Sequence, residues 1–194
     1  MSKSLFNILK KTALQRLVYA DKTKPLKKAF IIGHNELSKG AYSEHLDTTE
    51  WDLYKSLEKK LKSIGDVYYH NGNIGGYTAR CIDISNRISD DYDVVFALHF
   101  NMFNGVANGC EAFHWHSNTK GKDYARQFVD GYCDKTGTKS RGVKSYSKKT
   151  ERGAGEVFYP KMTAVLLEPF FGDNIDDCNK WNPDIFIEVL KSIN

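Results

Sequence analysis

The chain predicts a single α/β domain, a mainly parallel, twisted sheet flanked by helices on both faces. Three observations lead there. Residues 29–33, 94–98 and 164–167 are short, continuously apolar runs, the signature of strands buried on both faces. Between them lie stretches with helical spacing, and strands alternating with helices imply crossover connections and a parallel sheet. At 194 residues the chain suits one domain with a full core.

Taken in order, residues 1–25 form an N-terminal extension. Leu5, Phe6, Ile8, Leu9, Ala13, Leu14, Leu17 and Val18 recur near helical spacing, with Lys3, Lys10, Lys11 and Arg16 between them. A basic amphipathic helix of this kind either packs on the domain's own surface or makes weak membrane contact, and packing is the expected role. Lys22-Thr23-Lys24-Pro25 breaks the pattern, so the main domain is expected over 26–194. Its first strand runs into His34. A loop over 35–48 then leads to a helix opening at Thr48-Thr49-Glu50, where threonine can cap and acids suit the first turn. Trp51, Leu53, Tyr54, Leu57, Leu61 and Ile64 give that helix its apolar stripe, and Gly65 ends it.

A second strand is expected at 67–69, and loop 71–76 leads into a helix near 79–89. The strand ending at His99 follows, then a strand over 110–115 and a helix near 121–134. Residues 135–156 are rich in Gly, Ser and Lys and read as an exposed loop around at most a short strand. The strand ending at Glu168 and a helix near 183–193 close the chain. No internal repeat or second domain is expected.

Composition narrows the function. Hydrophobic residues make up 41% and charged residues 27%, with a net charge of +4. That is mildly basic, short of the clustered excess of a nucleic-acid binder, and suits an acidic polymer such as a cell wall. No stretch approaches the roughly 20 apolar residues of a membrane span. The first residues are too broken by polar side chains for a signal-peptide core, so synthesis in the cytoplasm without a Sec-type exit is expected. Cys81, Cys110, Cys133 and Cys178 contain no C-x-x-C pair, which argues against a cysteine zinc site or redox motif.

The chemistry lies at the strand ends. His34, His99 and Glu168 each terminate an apolar run, and in open α/β sheets the ligand site lies beyond the carboxyl ends of the strands. Catalytic zinc takes three protein ligands and keeps one position for water. His34 and His99 supply two. Glu36, Glu44, Asp47 and Glu50 are all available as the third, leaving Glu168 as the base.

Four motifs in order then extend the reading. They are Ile31-Ile32-Gly33-His34, Glu50-Trp51 at the helix start, Leu98-His99-Phe100-Asn101 followed by residues 107–113, and Leu167-Glu168-Pro169-Phe170-Phe171-Gly172-Asp173-Asn174. With Arg80 and Asn86-Arg87 on the helix before the third motif, the chain over 27–194 resembles the zinc-dependent N-acetylmuramoyl-L-alanine amidases, in the branch of phage endolysins and bacterial autolysins. The resemblance implies zinc held by His34, Glu50 and His99, with Glu168 as catalytic acid/base. It also implies cleavage of the amide between N-acetylmuramic acid and the L-alanine of peptidoglycan stems; with no secretion signal, holin-dependent release is expected, and the protein is expected to be a monomer. Asn35-Glu36 replaces the Gly-Gly that often follows the first histidine, and a short first helix leaves Glu44 as a rival ligand.

Asn101, Arg80 and Lys144 are candidate substrate-binding residues. Lys144 belongs to a basic stretch with Lys139, Arg141, Lys148, Lys149 and Arg152 that could meet stem-peptide carboxylates. His114 and His116 flank Trp115 as either a metal pair or groove-lining polar residues, and His45 and His70 read as surface residues. Gly153-Ala154-Gly155 lacks the remainder of a nucleotide fingerprint, and no G-x-S-x-G elbow occurs. The competing functions are a zinc peptidase or deacylase acting on another amide, and an idle wall-binding or virion component.

Overall fold

The alternation of each apolar run explains the layering seen in the structure, a computed structural model that describes residues 25–194. The amphipathic stripe expected over 1–25 lies outside the described residues. Strand β1 (Lys28–Ile32) points Phe30 and Ile32 to one face of the sheet and Ala29 and Ile31 to the other. Strand β5 (Val94–Leu98) does the same with Phe96 and Leu98 against Val95 and Ala97, and β8 (Thr163–Glu168) with Val165 and Leu167 against Ala164 and Leu166. Both faces are core, so successive residues have no solvent side to face and the runs are apolar throughout.

The remaining main strands are β4 (Asp66–Tyr69), β6 (Cys110–Trp115) and β7 (Ser140–Tyr146), and β2 (Tyr42–Ser43) pairs with β3 (Thr48–Thr49) in a small hairpin. The six-stranded sheet has the order β4-β1-β5-β8-β6-β7. The first four pair in parallel, β6 runs antiparallel to β8, and β7 returns parallel to β6. On the larger face pack α1 (Glu50–Ser56), α2 (Glu58–Leu61), α4 (Thr119–Thr136) and α7 (Pro183–Ser192), through Tyr54, Leu61, Phe128 and Phe186. On the other lie α3 (Tyr77–Arg87) and α5 (Gly155–Phe158), through Ile84 and Val157.

Local chemistry sets the helix ends. Asn118 caps α4 by accepting from Gly121 N at 2.8 Å, and Gly137, at φ 69°, ends it in the left-handed conformation. Asn182 caps α7, and Pro183 fills its first turn. The buried Lys28 ammonium donates to the carbonyls of Leu190 (2.8 Å) and Lys191 (3.1 Å) at the end of α7. Burial lowers its pKa to about 8.

Two segments differ from the sequence expectation. Residues 135–156 are more than a loop: β7 is a seven-residue edge strand in register with β6, and α5 begins at Gly155. An edge strand is open to water along one side, and every residue of β7 before Tyr146 is exposed or half-buried, so it lacks the apolar run of a central strand. The short helix α6 (Ile175–Lys180), capped by Asn174, carries too few apolar residues to show helical periodicity. Among the described residues no helix is long and apolar enough to cross a membrane.

Candidate active site

Register brings the strand-end residues together. Ile32 pairs with Leu98, and Leu98 with Leu167. Gly33-His34, His99 and Glu168 therefore emerge side by side at the carboxyl edge of the sheet. Gly33 N donates to Leu98 O (3.1 Å) and His99 N to Leu167 O (3.0 Å), extending the ladder to the edge itself. A Cβ at Gly33 would lie 2.5 Å from Leu98 O and 2.6 Å from His99 Nε2, so only glycine lets the two strands approach this closely. His34 has φ 64°, a left-handed backbone that costs a non-glycine residue energy and recurs at functional sites.

Glu50 reaches the same point from α1. The Thr49 hydroxyl accepts from Asp52 N at 3.2 Å, which starts the helix at Glu50. Glu50 N donates to Ala41 O and Trp51 N to Lys39 O, each at 3.0 Å, fastening the helix start to the loop around Gly40. Gly40 has φ 82°, and a Cβ there would lie 2.5 Å from Glu50 Oε2 and 2.7 Å from His34 Nε2. The backbone thus forms a wall against two of the converging side chains.

One ligand atom each from His34, Glu50 and His99 lies within 4.8 Å of the others. Glu50 is 4% exposed. Its Oε2 sits against His34 Nε2 and 3.6 Å from His99 Nδ1, yet among the described residues no donor meets it with hydrogen-bond geometry. A buried carboxylate oxygen facing two imidazole nitrogens, with no donor of its own, fits a divalent cation. Burial opposes its ionisation, but His34 and His99 outweigh that and lower the Glu50 pKa to about 2. Glu36, Glu44 and Asp47 are exposed and join no such group.

Asn101 Nδ2 donates to Glu168 Oε2 at 2.6 Å and to Glu111 Oε1 at 2.7 Å. Glu168 is raised to about 7, chiefly by burial, against the pull of His99 and with the push of Glu111. Glu111 is itself buried and held below the usual range, as Lys144 and Arg141 outweigh its burial. A cleft of about 440 Å³ opens over His34, Glu50, His99, Asn101 and Glu168, with Lys149 and Arg152 on its rim.

The other expected residues fall elsewhere. Lys144 bonds Glu111 and Arg80 Nη1 donates to Ile74 O (3.3 Å), and neither lines the cleft. His114 is buried with Nδ1 2.8 Å from Trp115 O, while His116 is exposed beyond the end of β6, and among the described residues they meet no third ligand. His45 is exposed as expected. His70 is not a surface residue: it is 6% exposed and its Nε2 bonds Glu156 Oε1. It follows directly on β4, and α5 folds over it with a carboxylate that satisfies the buried ring.

Glu156 and Glu111 are the residues that the sequence reading missed. Both are acids within apolar or small surroundings, Ala154-Gly155-Glu156-Val157-Phe158 and Cys110-Glu111-Ala112-Phe113. An acid in such a context has to find a partner once buried, and that was the available signal. Glu156 Oε2 lies 2.6 Å from His99 Nε2. Burial works against its ionisation, yet His99 and His70 hold it well below the usual carboxylate range. His99 in turn is raised well above its ordinary value, its burial outweighed by Glu156 and Glu50.

The family model described as N-acetylmuramoyl-L-alanine amidase matches residues 29–193, from the first strand to the end of α7. The chain belongs to this amidase family. It is accordingly a hydrolase of the amide that joins N-acetylmuramic acid to L-alanine in peptidoglycan. Among solved structures, the catalytic domain of an endolysin targeting Clostridia difficile is 25% identical, with a TM-score of 0.66 over 85% of this chain and 94% of that one. An N-acetylmuramoyl-L-alanine amidase from Clostridium difficile 630 is 20% identical (TM-score 0.65, 86% and 94% covered). The catalytic domain of a Bacillus (Paenibacillus) polymyxa var. colistinus amidase is 19% identical (TM-score 0.64, 87% and 94% covered). The last two likenesses concern the fold. No curated protein matches the chain.

Proposed function

We propose that this amidase works with zinc held by His34, Glu50 and His99, and with Glu168 as general acid/base. The observation that carries the proposal is the convergence of those three ligand atoms within 4.8 Å, beside a buried carboxyl at the end of β8. When bound there, the ion polarises the scissile carbonyl and lowers the pKa of water toward 7.

Glu168 takes the proton of the attacking water and returns it to the departing amine of L-alanine. Burial favours its protonated form, which suits the second step, and Asn101 Nδ2 orients the carboxylate for the first. Asn101 is thereby a positioning group as well as a cleft-lining one. Lys149 and Arg152 are placed to meet a carboxylate of the stem peptide at the rim. The likeness to an endolysin catalytic domain supports action on the wall; in this reading the protein reaches it from a host cytoplasm through a holin-type pore and acts as a monomer.

Purified protein incubated with cell walls tests this directly. New L-alanine amino termini are expected. New reducing ends would indicate a glycosidase instead, and binding without products an idle wall-binding module.

A further inference from the structure

Glu156 sits behind the three ligands rather than among them. It is 2% exposed, it lies on the four-residue helix α5, and the chemistry above gives it no task. Its two oxygens are divided between two imidazoles: Oε2 is 2.6 Å from His99 Nε2, and Oε1 bonds His70 Nε2. The helix is held in place from the other side, since a Cβ at Gly155 would lie 2.9 Å from Cys81 Sγ and 3.0 Å from Tyr77 Cε1 on α3. The carboxylate is therefore fixed by packing as well as by hydrogen bonds.

A carboxylate can only accept, so each bond to it requires the proton on the histidine Nε2. A neutral imidazole carries one proton. In the neutral ring that a metal ligand requires, with Nε2–H committed to Glu156, His99 has its lone pair on Nδ1, the nitrogen that faces Glu50 Oε2 at 3.6 Å. His34 presents the opposite nitrogen, Nε2, to the same oxygen. The two imidazoles thus differ in which nitrogen they offer, and among the described residues only His99 has a buried carboxylate behind it.

We propose that Glu156, braced by His70, is the positioning residue that fixes the His99 tautomer and ring orientation for metal ligation through Nδ1. A carboxylate behind a metal-bound histidine both locks the ring and increases its basicity, and loss of such a partner typically costs about 10- to 100-fold in metal affinity. His70 keeps the carboxylate from rotating away by occupying its other oxygen. The inference rests on the zinc reading above.

The test is zinc affinity, measured by competition with a chromophoric chelator for the full chain, Glu156→Gln and His70→Gln. Thermal melts of each metal-free protein accompany it. A loss of about 10- to 100-fold is expected for Glu156→Gln, and a smaller loss for His70→Gln, with metal-free melting little changed. Nitrogen-15 NMR of the zinc-loaded wild type needs no variant to fold, and should show His99 bound through Nδ1 with a proton on Nε2. Undiminished affinity in Glu156→Gln, or metal on Nε2 of His99, overturns the inference while leaving zinc at the site. A wild-type chain that takes up no zinc overturns the proposed zinc mechanism and this inference together.

Discussion

Glu111 lies directly opposite Glu168 in the antiparallel β6–β8 ladder, and the Asn101 side-chain amide donates to both. Two carboxyl groups placed this close do not ionise independently. Arg141 and Lys144 both bond Glu111, and neither bonds Glu168. The negative charge therefore settles on Glu111, and burial keeps the proton on Glu168 to higher pH.

That asymmetry sets a pH dependence. Glu168 is raised from 4.5 to about 7 in the metal-free fold, so its contribution to stability is present below 4.5 and lost as pH rises through 7. Activity runs the other way, because the base form is needed, and kcat/KM should rise with pH along an acid limb set by Glu168. Glu111→Gln removes a charge that raises Glu168 and frees two cations that lower it. Both effects have one sign, so the limb should move to lower pH. An acid limb that stays in place in Glu111→Gln would contradict the assignment.

Glu168 and Glu50 should separate cleanly by substitution. Glu168→Gln is expected to keep metal and fold while losing at least about 10²-fold in kcat, the scale of a lost general base. Glu50→Gln should instead lose zinc, since its Oε2 is the oxygen between the two imidazoles. Metal content by atomic emission, read beside the rate, decides. Loss of zinc in Glu168→Gln with retention in Glu50→Gln would reverse the two roles.

The wall around Gly40 makes a prediction about backbone. Alanine there meets a left-handed φ of 82° and places Cβ 2.5 Å from Glu50 Oε2, a conformational cost of about 1 kcal/mol before any clash. Gly40→Ala should weaken zinc binding about tenfold or more, by displacing two ligands. Gly75→Ala, where a Cβ meets nothing within 4 Å, should behave as wild type in the same chelator competition. Equal affinities for the two variants would show that the wall is not needed.

Much of this site was visible in the chain because its parts follow directly on apolar runs. Ile32, Leu98 and Leu167 are core residues, and strand register alone aligns His34, His99 and Glu168 behind them. Glu50 needed the helix-start signal of Thr49 to separate it from Glu44. The other half of the arrangement depends on pairings between distant segments, which periodicity does not encode. His70 and Glu156 are 86 residues apart, and each looks like a surface residue until α5 is folded over the end of β4. The edge strand β7, which delivers Arg141 and Lys144 to Glu111, was hidden for a related reason: its exposed side chains erase the apolar run. Arg80 and Lys144 carry the right charge for substrate, but their charge is already engaged, one by the Ile74 carbonyl and one by Glu111.

The last prediction concerns the metal itself. About one zinc per chain is expected, with three protein ligands, and chelation should abolish wall lysis until zinc is returned. In the metal-free protein Glu50 and Glu156 raise His99 well above its ordinary pKa, so its Nδ1 carries a proton that an incoming ion has to displace. Each zinc bound should then release about one proton from His99, and affinity should weaken by about tenfold per unit as pH falls below that pKa. Zinc should also raise the melting temperature, because it binds the folded state and not the dispersed ligands of the unfolded chain. Isothermal calorimetry in buffers of different ionisation enthalpy reads the proton release, and the same titration at several pH values reads the slope. Full lysis by a demonstrably metal-free sample would end the zinc mechanism. Affinity that does not change across the neutral range would instead show that His99 enters the site already unprotonated at Nδ1.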